Sequence, residues 1–97
     1  MGQRIKVEAS VVVNDSIVIT TDRNLTVADG EGYSSADEAA TATTFGARLA
    51  ADLFESDDAI TRVYVAANVV VLQRAGGWSD DANLQANSVI ETFFLYY

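Results

Sequence analysis

Ile60-Thr61-Arg62-Val63-Tyr64-Val65, then Ala66-Ala67-Asn68, then Val69-Val70-Val71-Leu72-Gln73-Arg74 is the stretch that decides the fold. Two runs rich in β-branched residues around a short turn read as a β-hairpin. Successive side chains of a strand point to opposite faces. Val63, Val65, Val70 and Leu72 therefore share one face, and Arg62, Tyr64, Val69, Val71 and Gln73 share the other. The first set is wholly apolar and needs a cover. The second is mixed and can stay open.

The cover is found on either side of the hairpin. Phe45, Leu49 and Leu53 recur every four residues with Ala50 and Phe54 beside them, an apolar stripe on a helix that starts near Thr44 and ends near Glu55. Gly76-Gly77 breaks the chain after the hairpin. Ser79 then caps a last helix with Asp80 and Asp81 in its first turn. Ala82, Ala86, Val89, Ile90, Phe93 and Tyr97 line one side of it. Leu95 and Tyr96 point elsewhere and give the chain an apolar tip.

Further upstream, Ile5, Val7, Ala9 and Val11 alternate with Lys6, Glu8 and Ser10. Asn14-Asp15-Ser16 makes a turn, and Ile17 and Ile19 resume the alternation as far as Thr21. This is a second hairpin. Its phase sends Lys6, Glu8, Val12 and Val18 to the open face. Leu25 and Val27 extend its second strand or form a separate piece. Asp29-Gly30-Glu31-Gly32 reads as a loop. Ser35 and Glu38 have capping-box spacing and start a short helical turn over 36–42, weakened by Thr41, Thr43 and Thr44. The expected architecture is a single α+β domain, ββαββα, with a four-stranded, mainly antiparallel sheet and two helices packed on one face.

Composition narrows the function. The 97 residues contain no Pro, Cys or His. That excludes disulfides, zinc sites built on thiolate or imidazole, and nucleophilic machinery based on Cys or His. Fourteen acidic residues against six basic ones give a net charge of −8. Such a chain gains nothing from phosphate backbones, so no nucleic-acid partner is expected. No apolar run is long enough to span a membrane, and Met1 to Lys6 does not open a signal peptide. A cytoplasmic protein without a membrane partner is expected. Asn24-Leu25-Thr26 matches a glycosylation acceptor only by chance.

The second half resembles the N-terminal domain of the Nfu/NifU-type iron–sulfur scaffold proteins. The resemblance rests on a collinear set: Ala47-Arg48-Leu49-Ala50-Ala51-Asp52-Leu53-Phe54, Ala59 to Val65, Asn68 to Arg74, Trp78, and a helix closing at Phe93-Phe94. It covers about 55 residues, Ala42 to the end. The chain departs from the family in lacking a proline around Asn14-Asp15-Ser16 and in carrying Ala59 where Gly is usual. It also lacks the Cys-x-x-Cys of the separate cluster-binding domain, so it holds no cluster through thiolates. The resemblance implies a non-enzymatic adaptor with no cofactor of its own, whose partner is a protein of iron–sulfur cluster assembly.

Other motifs have simpler uses. Asp57-Asp58 solvates a turn, and Asp80-Asp81 complements a helix N-terminus. A carboxylate-dependent enzyme would instead need one of these acids in a dry cleft. Asp29-Gly30-Glu31 lacks the spacing of a calcium loop. Trp78 reads as a residue at the core edge whose N–H finds a carbonyl. Arg62, Tyr64, Val69, Val71 and Gln73 are the expected partner-binding residues. Valines on the uncovered face of a sheet mark a contact surface, and they also suit a chain that associates with itself.

Overall fold

The computed structural model describes residues 6–22 and 30–93. Ile5, Asn24, Leu25, Val27, Asp29 and the tip from Phe94 to Tyr97, all considered above, lie outside the described residues.

The strands are β1 (Val7–Val13), β2 (Ser16–Thr21), β3 (Glu31–Tyr33), β4 (Ile60–Ala66) and β5 (Val69–Arg74). The helices are α1 (Ala36–Ala40), α2 (Phe45–Ser56) and α3 (Asp80–Thr92). The strands form one sheet in the order β1-β2-β5-β4-β3, and every neighbouring pair is antiparallel. The hairpin that decides the fold is thus central, and the two hairpins pair through β2 and β5.

Each helix begins where a hydroxyl can satisfy its first free N–H groups. Ser35 Oγ accepts from Glu38 N at 3.1 Å, Thr44 Oγ1 from Ala47 N at 3.1 Å, and Ser79 Oγ from Ala82 N at 3.2 Å. Glu38 also accepts from Ser34 N at 3.0 Å, one residue ahead of the usual capping-box partner. α1 is short because Thr41 donates its hydroxyl back to the Glu38 carbonyl at 2.7 Å and the threonine run follows.

The core lies between the sheet and the long helices. Ile17, Ile19, Val63, Val65, Val70 and Leu72 are fully buried on the sheet side, under Leu49, Ala50 and Leu53 of α2, Ala86 and Ile90 of α3, and Phe93 that caps α3. Each large aliphatic side chain here contributes about 1.5–3 kcal/mol from its removal from water. Phe45 falls off the expected α2 stripe and remains 49% exposed, because the buried positions run through Ala47, Leu49, Ala50, Leu53 and Phe54. Trp78 packs at the edge of the core and its Nε1 donates to the Asp15 carbonyl at 3.0 Å, as its sequence position suggested.

The sheet differs from the expected one in two details. It has a fifth strand, β3, in place of the loop read from Gly30 and Gly32, and α1 makes a third helix. β3 forms despite its glycine because Glu31, Gly32 and Tyr33 pair with Val65, Tyr64 and Val63 on β4.

The second difference is one of phase. Val7 pairs with Thr21 but Ala9 pairs with Thr20, so Glu8 is an extra residue, a β-bulge. A one-residue insertion reverses every later side chain. Val12 pairs with the buried Ile17 and lies on the helix side, not on the open face expected for it. Ala9 and Val11 pair with Thr20 and Val18 and lie on the open face instead.

Candidate binding surface

Among the described residues, all three helices lie on one side of the sheet, so the other side is a single-layer strand surface. Cross-strand partners share a face, and the registers arrange that surface in rows. The central row is Val11, Val18, Val71, Tyr64 and Gly32. On one side of it run Ala9, Thr20, Val69 and Ala66, and on the other Val13, Ser16, Gln73 and Arg62. Arg62, Tyr64, Val69, Val71 and Gln73 therefore share the open side, as their alternation indicated.

The chemistry of these rows is unlike that of the chain as a whole. None of the positions in them holds an acid, although the sequence carries fourteen. Arg62 is the one charge they contain. Tyr64 is 40% exposed and Val11 and Val13 are 56% and 55% exposed, while Val18, Val69, Val71 and Gln73 are half-buried. The surface is an apolar band with one cationic corner on an acidic protein.

Tyr64 is held in place by what its neighbours lack. A β-carbon on Gly30 would overlap the Tyr64 hydroxyl, and one on Gly32 would meet Tyr64 Cδ1 at 3.3 Å. The ring lies across the two glycines, which supply the room for it. β3 is anchored from the opposite side. Tyr33 donates to Glu31 Oε1 at 2.7 Å, and the Thr44 hydroxyl that caps α2 donates to the same oxygen. Burial raises the Tyr33 phenol above its ordinary value, and the bond to Glu31 raises it further.

The paired acids show a different pattern. A cleft of about 510 Å³ lies where α2 ends and α3 begins, lined in part by Asp57, Asp58, Arg74 and Asp81. Asp57 Oδ2 accepts from Arg74 Nε at 2.7 Å, and its Oδ1 accepts from Ala59 N at 2.9 Å. Burial alone would raise the Asp57 carboxyl, but the Arg74 contact and the Ala59 N–H outweigh it and lower the value. A carboxylate held ionised with both oxygens engaged is suited to closing a turn, not to donating or taking protons near neutrality. Arg74 also donates to the Gly77 carbonyl at 2.9 Å, so it fastens the turn formed by Gly76 (φ 87°) and Gly77 (φ 83°). Arg74 is committed on the helix side and adds no charge to the open face. Among the described residues, no three of His, Cys, Asp and Glu converge to hold a metal ion, and no helix is long and apolar enough to cross a membrane.

Sequence reasoning missed Ala9, Val11 and Val13 as members of the open face. Val11-Val12-Val13 contains no polar residue to mark a phase. Glu8 was the available signal, as a charge just where the alternation slips.

No protein-family model matches the chain, and no curated protein matches it in sequence. Its fold is similar to the crystal structure of protein SAV1430 from Staphylococcus aureus, with a TM-score of 0.60 at 9% identity, covering 89% of this chain and 99% of that one. A likeness at that identity shows a shared fold and nothing about activity.

Proposed function

We propose that the protein is a non-catalytic adaptor that binds a protein partner on its open sheet face, in the manner implied by its resemblance to the N-terminal domain of Nfu/NifU-type scaffold proteins. The observation that carries this reading is the band Val11, Val18, Val71 and Tyr64, in strand rows that hold no acid, in a chain of net charge −8. Exposed apolar strand surface is unfavourable in water unless it is covered, and a patch bordered by polar residues is the usual form of a protein contact. The matching partner presents an apolar centre with a carboxylate placed to meet Arg62. By the resemblance, that partner belongs to iron–sulfur cluster assembly.

The test is direct binding of the purified chain to purified iron–sulfur cluster assembly proteins by calorimetry. Tyr64→Ala or Val71→Asp weakens a real contact by about 10- to 30-fold, the effect of losing a central aromatic or burying an unpaired charge. Arg62→Ala has a smaller effect that shrinks further in salt. Absence of binding to every such protein removes the iron–sulfur assignment. Binding that ignores both Tyr64→Ala and Val71→Asp removes the choice of face.

A further inference from the structure

Among the described residues β1 is the last strand of the sheet on its side, and its end, Val11 to Val13, is apolar on both faces. Val11 and Val13 on the open side are 56% and 55% exposed. Val12, on the helix side, is 47% exposed. A partner lying on the open face covers Val11 and Val13 and cannot reach Val12. Only a strand added in the plane of the sheet covers both sides at once.

We propose that this added strand is β1 of a second copy of the chain, paired antiparallel about a two-fold axis at Val11. The regular part of β1 runs from Ala9, after the bulge, to Val13, before the turn, and Val11 is its centre. Val13 and Ser16 close the hairpin around Asn14-Asp15. Inward and outward peptide groups alternate along an antiparallel strand, so from that closing pair Val11 and Ala9 face β2 while Ser10 and Val12 direct theirs outward. A two-fold at Val11 sets Ser10 of each copy opposite Val12 of the other, with each residue's N–H meeting the other's carbonyl. The strand is complementary to itself in that register.

Charge favours the same occupant. Residues 9–14 form an uncharged stretch between Glu8 and Asp15. Two chains of −8 can meet there without opposing like charges, whereas a basic peptide would lay cationic side chains beside three valines. The two sheets become one, and their open-face bands join at the paired Val11 side chains. Such a small contact is a weak one, with a dissociation constant between roughly 10 μM and 1 mM. The inference does not depend on the adaptor reading, whose binding assay is run at low micromolar concentration on the monomer.

Sedimentation equilibrium across that range tests it, alongside amide hydrogen exchange at its two ends. The mass is expected to rise from one chain to two, with the Ser10 and Val12 amides gaining protection at high concentration. Val12→Lys places a charge in the seam and should weaken the dimer by roughly tenfold or more. Val12→Pro removes an N–H that β2 does not use, so it should also give a monomer while leaving the thermal midpoint within a few degrees. Tyr64→Ala should leave the dimer intact. A mass of one chain throughout overturns the proposal, as does a dimer that survives Val12→Lys or one that Tyr64→Ala abolishes.

Discussion

The two hairpins of this sheet are built alike and behave differently. Each turns on two residues with the first at positive φ, Asn14 at 56° and Ala67 at 51°, the habit of primed hairpin turns. Each carries one bulge, at Glu8 in β1 and at Thr61 in β4. The inner hairpin, β4-β5, is flanked by β3 and β2, and its helix-side residues Val63, Val65, Val70 and Leu72 are buried completely. Among the described residues the outer hairpin has a neighbouring strand only at β2, and three consecutive valines of β1 are exposed. A strand held on both edges has its register set by two partners. An edge strand has it set by one, so a slip there is less costly and the phase can follow a local bulge.

The strongest way to break this comparison is to shorten one aliphatic side chain in each hairpin. Leu72→Ala in the inner one should lower stability by about 2–5 kcal/mol in urea unfolding, because the cavity opens in a closed core. Val12→Ala in the outer one should lower it by less than about 0.5 kcal/mol, as expected for an exposed position. Equal losses would mean that β1 is as deeply built into the core as β5.

A smaller effect is expected where the open ends of the hairpins are fastened. The inner end is closed by the ion pair of Asp57 and Arg74 at 2.7 Å, with side chains 16% and 24% exposed. The outer end is closed by backbone and carboxylate contacts of Asp22 with the main chain of Lys6, at 3.0 and 3.2 Å. Asp57→Asn should cost about 1 kcal/mol at neutral pH. The Asp57 carboxyl is lowered in the folded state, so its contribution is complete above the ordinary value of 3.8 and is lost as pH falls through the folded-state value. The variant should therefore be less sensitive to acid than the wild type in that window, which a pH series of thermal midpoints reads directly.

The smallest effect sharpens the comparison at the turns. Ala67→Gly relieves a left-handed conformation that alanine adopts poorly and should stabilise by about 0.5–1 kcal/mol. Asn14→Gly should change little, since asparagine tolerates that region. The difference in urea midpoint between these two variants measures how far the inner turn is strained relative to the outer one.

These differences also explain what was legible in the sequence. Val63, Val65, Val70 and Leu72 were readable as the covered face because, beyond the bulge at Thr61, β4 and β5 alternate without interruption. The helix starts were readable because Ser35, Thr44 and Ser79 carry their own capping chemistry. β3 was not readable, because its glycine signals a loop and the compensation comes from Tyr64, more than thirty positions away. The open-face residues of the inner hairpin came out correctly. Those of β1 did not, since a bulge is a property of pairing and the valine run offers no polar marker to reveal it.

Trp78 is the sole tryptophan of the chain, and its indole bonds the carbonyl at the tip of the outer hairpin, a residue 63 positions earlier. The molecule consequently carries an intrinsic optical gauge. Its emission colour and intensity register whether that hairpin tip is seated, so detachment of the outer strands can be timed by stopped-flow fluorescence without adding a dye.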